Sequence, residues 1–207
     1  MIAQYHPGRD TLLSYAVGAL PPGAALAVGV HLEMCGACAA EARLLETIGG
    51  GVTAEREPAP LDAGAMDRAL EALARERSAA APPASSMPMA EAVVRGARWR
   101  WGGPGLQLAT VRGAGAPGEM VYLLRGRPGA ALAPHTHRGL ELVAVLEGAF
   151  EDEVGVYRAG DLVERDAASP AHAPRVTREG KCLCLIATSG RLKLSGVARL
   201  LQPFLGV

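Results

Sequence analysis

All five histidines of the chain fall into two sets with the spacing of metal ligands. His31-x3-Cys35-x2-Cys38, with His6 upstream, makes one set; His135-x-His137-x3-Glu141, with His172 downstream, makes the other. No histidine remains for any other role. The first set offers nitrogen and thiolate, a soft combination, and the second offers nitrogen and carboxylate, a harder one. These residues predict two bound metals, one in each half of the chain.

Two residues separate Cys35 from Cys38, the spacing that turns both thiolates toward one ion at a tight bend. His31 lies one helical turn before Cys35, so its ring projects from the same helix face. A tetrahedral zinc at about 2.0–2.3 Å takes a fourth ligand. His6 is the other histidine of this half, and Pro7 would aim its ring back. Two readings compete with structural zinc. One is a buried pair of thiols beside a buried histidine; the other is a redox Cys-x-x-Cys, which lacks the βαβ surroundings it would need.

In the second set, His135 and His137 alternate at the period of a strand and would point into one interior. Arg138-Gly139 turns the chain, Glu141 follows on the next strand, and His172 arrives from a later one to complete a site of three nitrogens and one oxygen. A barrel that has these residues and binds no metal is the competing reading. Cys182-x-Cys184 puts two more thiols on one strand face, either as small buried hydrophobes or as a redox pair.

The elements that must carry these residues change character along the chain. Apolar spacing predicts helices over 10–20, 24–34, 36–49 and 62–77, the third stopping at Gly49-Gly50-Gly51. In the fourth, Met66, Ala69, Leu70 and Leu73 form a stripe that either packs on the first three helices or faces a partner. Residues 78–91 are rich in Pro, Ser and Ala and read as a linker. Beyond them, short apolar runs at 106–111, 120–124, 140–146 and 182–187 are broken by Gly and Pro. Trp99 and Trp101, alternating with Arg98 and Arg100, fit an early strand. This half predicts an all-β sandwich or barrel.

The 207 residues suffice for one large or two small domains, and 49% hydrophobic with 4% aromatic content implies an aliphatic core. The net charge of zero hides an asymmetry. Residues 1–89 hold six Arg against ten Asp/Glu, or −4, and residues 90–207 hold fifteen Lys/Arg against eleven Asp/Glu, or +4. The acidic half is a poor match to nucleic acid and a better one to a basic protein. The stretch 16–31 is interrupted by Gly18, Pro21, Pro22 and Gly23, so neither a membrane span nor a secretion signal is expected. A cytoplasmic location with reduced thiols follows as the expectation.

Residues 1–77, with His31, Cys35 and Cys38 on the motif and His6 at the upstream position, resemble the zinc-binding anti-sigma domains. Gly129-x5-His135-x-His137-x3-Glu141-x6-Gly148 is similar to the first cupin motif. The second cupin motif departs from its pattern: Gly160-Asp161 fits the opening, Asp166 and Ala168 replace Pro and Gly positions, and His172 falls one residue late. Together the halves resemble the ChrR-type anti-sigma factors. That resemblance implies a two-domain α + β protein: a four-helix zinc-binding bundle over 1–77, a linker over 78–91, and a cupin barrel over 92–207. It implies zinc in both sites, with another divalent metal possible in the cupin. It also implies an extracytoplasmic-function type sigma factor as partner, and release on singlet oxygen or a related oxidant. The rival reading is a cupin metalloenzyme, a dioxygenase or isomerase, but few acid/base residues accompany the ligands, since Tyr122, Glu147 and Arg125 are unplaced.

Overall fold

A computed structural model describes residues 3–79, 88–190 and 193–194. Five helices cover its N-terminal part: α1 (Arg9–Ala16), α2 (Pro22–Met34), α3 (Gly36–Ala54), α4 (Ala65–Ala79) and α5 (Met89–Arg95). Helix α1 ends four residues earlier than its apolar spacing predicts, because Gly18 takes a left-handed conformation (φ 69°) and closes the helix C-terminus. Helix α3 does the reverse and runs through Gly49-Gly50-Gly51, where a stop was expected. Each glycine lowers helix propensity by about 1 kcal/mol but leaves the hydrogen-bond ladder intact. The expected linker is also shortened. Residues 89–91 are helical, and the first amides of α5 (Met89 and Ala90) donate to the Glu33 carboxylate of α2 at 2.7 and 3.3 Å.

Helices α1, α2 and α3 pack on one another. The α4 stripe does not join them: Met66, Leu70 and Leu73 are more than half exposed.

The β-rich part is a cupin-like sandwich. Its larger sheet has six strands in the order β1 (Arg100–Gly103), β2 (Leu106–Thr110), β3 (Glu119–Gly126), β10 (Cys182–Ser189), β5 (Glu141–Glu147) and β8 (Leu162–Arg165). All its neighbours are antiparallel. A three-stranded sheet, β7 (Val156–Arg158), β6 (Ala149–Glu151) and β9 (Arg175–Val176), faces it, and β4 (His135–Thr136) pairs with β11 (Lys193–Leu194).

The six-stranded sheet is buried on both faces, which explains why its central strands read as unbroken apolar runs. Side chains alternate across it. Leu123, Leu142, Ala144, Leu185 and Ala187 pack with Ala27, Val28 and Val30 of α2. Their neighbours Tyr122, Val143, Val145, Cys184 and Ile186 pack inward with Phe150, Tyr157 and Val176. Helix α2 is thus a core element shared by both halves. Its N-terminus is fixed by the sheet as well, since Gly23 and Ala24 donate their free amides to Glu119 at 3.2 and 3.3 Å. Gly23 is required there, because a Cβ would lie 2.5 Å from Val121 Cγ2.

Candidate metal centres

The fold brings the eight singled-out residues together as two clusters, each with its donor atoms within 4.8 Å of one another. In the helical cluster, α2 supplies His31 and the α2–α3 junction supplies the thiols. Cys35 adopts an extended conformation (φ −120°, ψ 98°) between the two helices, which turns Cys38 of the following helix back toward it. His6 lies on the irregular run before α1, with its Nδ1 at 3.6 Å from Cys35 Sγ and 3.3 Å from Cys38 Sγ.

The His31 ring is buried, and its Nδ1 faces the carbonyl oxygen of Gly160 at 2.8 Å. That contact puts the proton on Nδ1 and leaves the Nε2 lone pair free. Nε2 is buried with no partner, an arrangement that costs free energy unless an electrophile meets it. Burial also lowers the His31 pKa, so its imidazole is neutral. Burial and then the neighbouring Cys35 push the Cys38 thiol up to about 12. Two thiols side by side with an unpartnered imidazole nitrogen suit a soft cation, which would stabilise the thiolates.

The cupin cluster is deeper. His135 sits on β4, Glu141 begins β5, and His172 comes on an isolated bridge whose backbone pairs with His135. Three imidazole nitrogens converge: His172 Nε2 lies 3.1 Å from both His135 Nε2 and His137 Nε2. Glu141 Oε2 is 3.6 Å from His137 Nε2. His135 Nδ1 donates to the Ala133 carbonyl at 2.9 Å and His172 Nδ1 to Asp152 Oδ2 at 3.1 Å. The Nε2 atoms of both therefore carry lone pairs aimed at one point, an arrangement that a cation between them would stabilise. Burial lowers His135 and His137 to about 4 and raises Glu141 to about 8, the last opposed by Arg165. Three converging imidazoles, with His135 and His137 kept neutral by burial, and a carboxyl held in an apolar site fit a divalent ion that would restore the carboxylate charge.

The ChrR Cupin-like domain family matches residues 90–190. Over 214 residues the chain is 35% identical to anti-sigma-E factor ChrR of Cereibacter sphaeroides, with 99% of both sequences covered. The chain belongs to the ChrR family. The crystal structure of Rhodobacter sphaeroides SigE in complex with the anti-sigma ChrR shares its fold at TM-score 0.73 and 34% identity. The match covers 89% of this chain and 98% of the matching one.

Several residues around the clusters of this ChrR-family chain were not legible in the sequence. Asp152, whose side chain is fully buried, joins His172 to Arg165, and Arg165 also donates to the Tyr157 hydroxyl at 2.9 Å. Gly160 and Asp161 were visible as the opening of a cupin motif, but not as neighbours of the helical cluster. Of the three polar residues left unplaced, only Tyr122 approaches the cupin cluster. It lines a cavity of about 40 Å³ with Phe150, Cys182, Cys184, Glu141 and His172. Glu147 instead pairs with Lys181 at 3.2 Å, and Arg125 stacks 4.1 Å over the Trp99 ring. Cys182 and Cys184 are buried with their sulfurs 3.6 Å apart. The hydrogen bond with Cys182, together with burial, holds Cys184 well above the usual thiol range.

Proposed function

We propose that this chain is an anti-sigma factor. Its helical half holds an extracytoplasmic-function type sigma factor away from RNA polymerase, in the cytoplasm. Its cupin half responds to singlet oxygen or a related oxidant and loosens that hold. It is a transcriptional regulator and not an enzyme. The observation that carries this reading is the similarity to ChrR along nearly the whole chain, joined to the fold shared with the SigE–ChrR complex.

Zinc is the ion assigned to both clusters: to His6, His31, Cys35 and Cys38, and to His135, His137, Glu141 and His172, where another divalent metal is the alternative. When bound, it supplies a tetrahedral cross-link that a helical unit with so small a core of its own needs. The chain does the rest. Helix α3 buries only Cys38 and Ala42, so its path from α2 depends on the thiols being drawn together. The surface this creates is unusually apolar for helices in water. Leu13, Val17, Leu44, Ile48, Val52, Met66, Leu70 and Leu73 are all between 47% and 67% exposed. Such a surface on an acidic half supports a large protein partner of basic character.

Affinity purification of the tagged chain from its native host, with mass spectrometry of bound proteins, tests the reading. A sigma factor should be recovered, and it should be lost when Cys35 and Cys38 are changed to Ser. Recovery of the chain alone, under conditions that preserve a control sigma complex, would overturn it.

A further inference from the structure

Both histidines of the helical cluster are held from the cupin half. Residues 3–8, which carry His6, form neither helix nor strand, so their backbone groups must find partners elsewhere. They find them in one short run. Gln4 and Tyr5 donate their amides to Asp161 Oδ1 at 2.7 and 3.2 Å, and Leu162 donates to the Tyr5 carbonyl at 3.0 Å. Gly8 N–H and Thr11 Oγ1 donate to the two oxygens of Glu164 at 2.9 and 2.7 Å. His6 lies between these anchors, and the Tyr5 ring packs on Tyr157 with centroids 4.6 Å apart. The second histidine, His31, donates Nδ1–H to Gly160 of the same run.

These are the contacts that orient metal ligands: a carbonyl behind one imidazole, and carboxylates that fix the chain on either side of the other. Asp161 is 2% exposed, and its Oδ2 accepts the Arg158 amide at 2.7 Å, which leaves the carboxylate no freedom to turn away. The two cysteines receive nothing from this run. The cluster is therefore divided, with thiols placed by the helices and imidazoles placed by the cupin.

We infer that the cupin run 160–164 is the supporting shell of the helical metal site, positioning His6 and His31, so that the affinity of that site is set partly from the cupin half. This rests on the reading that the cluster holds a metal. The run 160–164 also continues through β8 into Arg165, which is bonded to Asp152 and through it to His172. One strand thus touches the surroundings of both clusters.

The test uses the full-length, zinc-loaded chain. Increasing chelator is added with N-ethylmaleimide, and alkylation of Cys35 and Cys38 is read peptide by peptide, beside the zinc retained by the cupin. The variants Asp161→Ala and Glu164→Ala should release Cys35 and Cys38 at roughly ten- to a hundredfold lower chelator, as loss of an outer partner does elsewhere, while the cupin keeps its zinc. Glu164→Gln, which retains an acceptor, should restore most of the protection, and Glu57→Ala, an exposed carboxylate with no bond to the run, should change nothing. If Asp161→Ala does not fold, Thr11→Val removes a bond from the helical side and should give a smaller shift of the same sign. Unchanged protection in Glu164→Ala and Thr11→Val would overturn the inference. Failure of zinc to protect Cys35 and Cys38 in the unmodified chain would instead overturn the metal reading beneath it.

Discussion

Asp152 Oδ2 lies 3.1 Å from His172 Nδ1 and receives Arg165 at 2.6 Å on the same oxygen. Burial works against its charge, but the Val154 amide, His172 and Arg165 together hold its carboxyl below the usual range. An ionised Asp152 fixes the tautomer of His172 and turns its Nε2 toward the other imidazoles. Asp152→Asn keeps the shape and removes the charge. It should weaken metal binding at the cupin cluster by roughly ten- to a hundredfold, measured by chelator competition, with the helical cluster unaffected. An unchanged cupin affinity would refute this role.

Glu141 gives the metal-free chain a distinctive pH response. Its carboxyl is raised by burial from 4.5 to about 8. Between those values the folded chain keeps a proton that the unfolded chain has released, so this residue's contribution is complete below 4.5 and is lost as pH rises toward 8. His135 and His137, lowered from 6.5 to about 4, act oppositely: their contribution is present above 6.5 and lost as pH falls through 4. Removing only the first effect, Glu141→Gln should melt at increasingly higher temperature than the unmodified chain as pH rises from 5 to 8, both free of metal. Parallel melting curves would count against it.

Chelation should not unfold the helical half uniformly. The buried face of α2, including fully buried Ala27, Val28 and Val30, is pressed into the sheet core, whereas α3 buries only Cys38 and Ala42. Amide exchange after zinc removal should accelerate through α3 while α2 stays protected. Equal loss in both helices would contradict the shared core.

Gly148 joins β5 to β6 with φ +71°, and a Cβ there would collide with the Lys181 carbonyl oxygen. Gly148→Ala should lose at least the left-handed cost of about 1–2 kcal/mol in a urea titration. Gly180→Ala is the matched control, since it meets nothing within 4 Å and should stay within about 0.5 kcal/mol of the unmodified chain.

Ile48 is 54% exposed on α3. Ile48→Asp should leave folding within about 0.5 kcal/mol and weaken sigma binding roughly tenfold or more, on the order of 1.4 kcal/mol. Calorimetry against the purified sigma factor reads this directly, and unchanged affinity would move the docking surface elsewhere.

Much of the fold was readable because its signals are local. Short apolar runs marked strands β2, β3, β5 and β10, and the Pro21-Pro22 break marked the start of α2. The misread boundaries have local causes too. Three glycines in α3 lower propensity without blocking the helix, and α5 begins where Glu33, distant in sequence, accepts its first amides.

Ligand candidates are legible because donor chemistry and spacing are properties of the chain. A histidine one turn before Cys-x-x-Cys, or a His-x-His on a strand, declares its geometry within a few residues. Sequence by itself determined which residues could converge. Their supports were decided only by the tertiary structure. Asp152 reaches His172 across 20 positions, Asp161 reaches Gln4 across 157, and Gly160 reaches His31 across 129. No periodicity encodes such pairs, because a hydrogen bond between distant segments depends on how α2 docks on the sheet. That docking is set by burial of a shared apolar face, which is non-directional and leaves no motif.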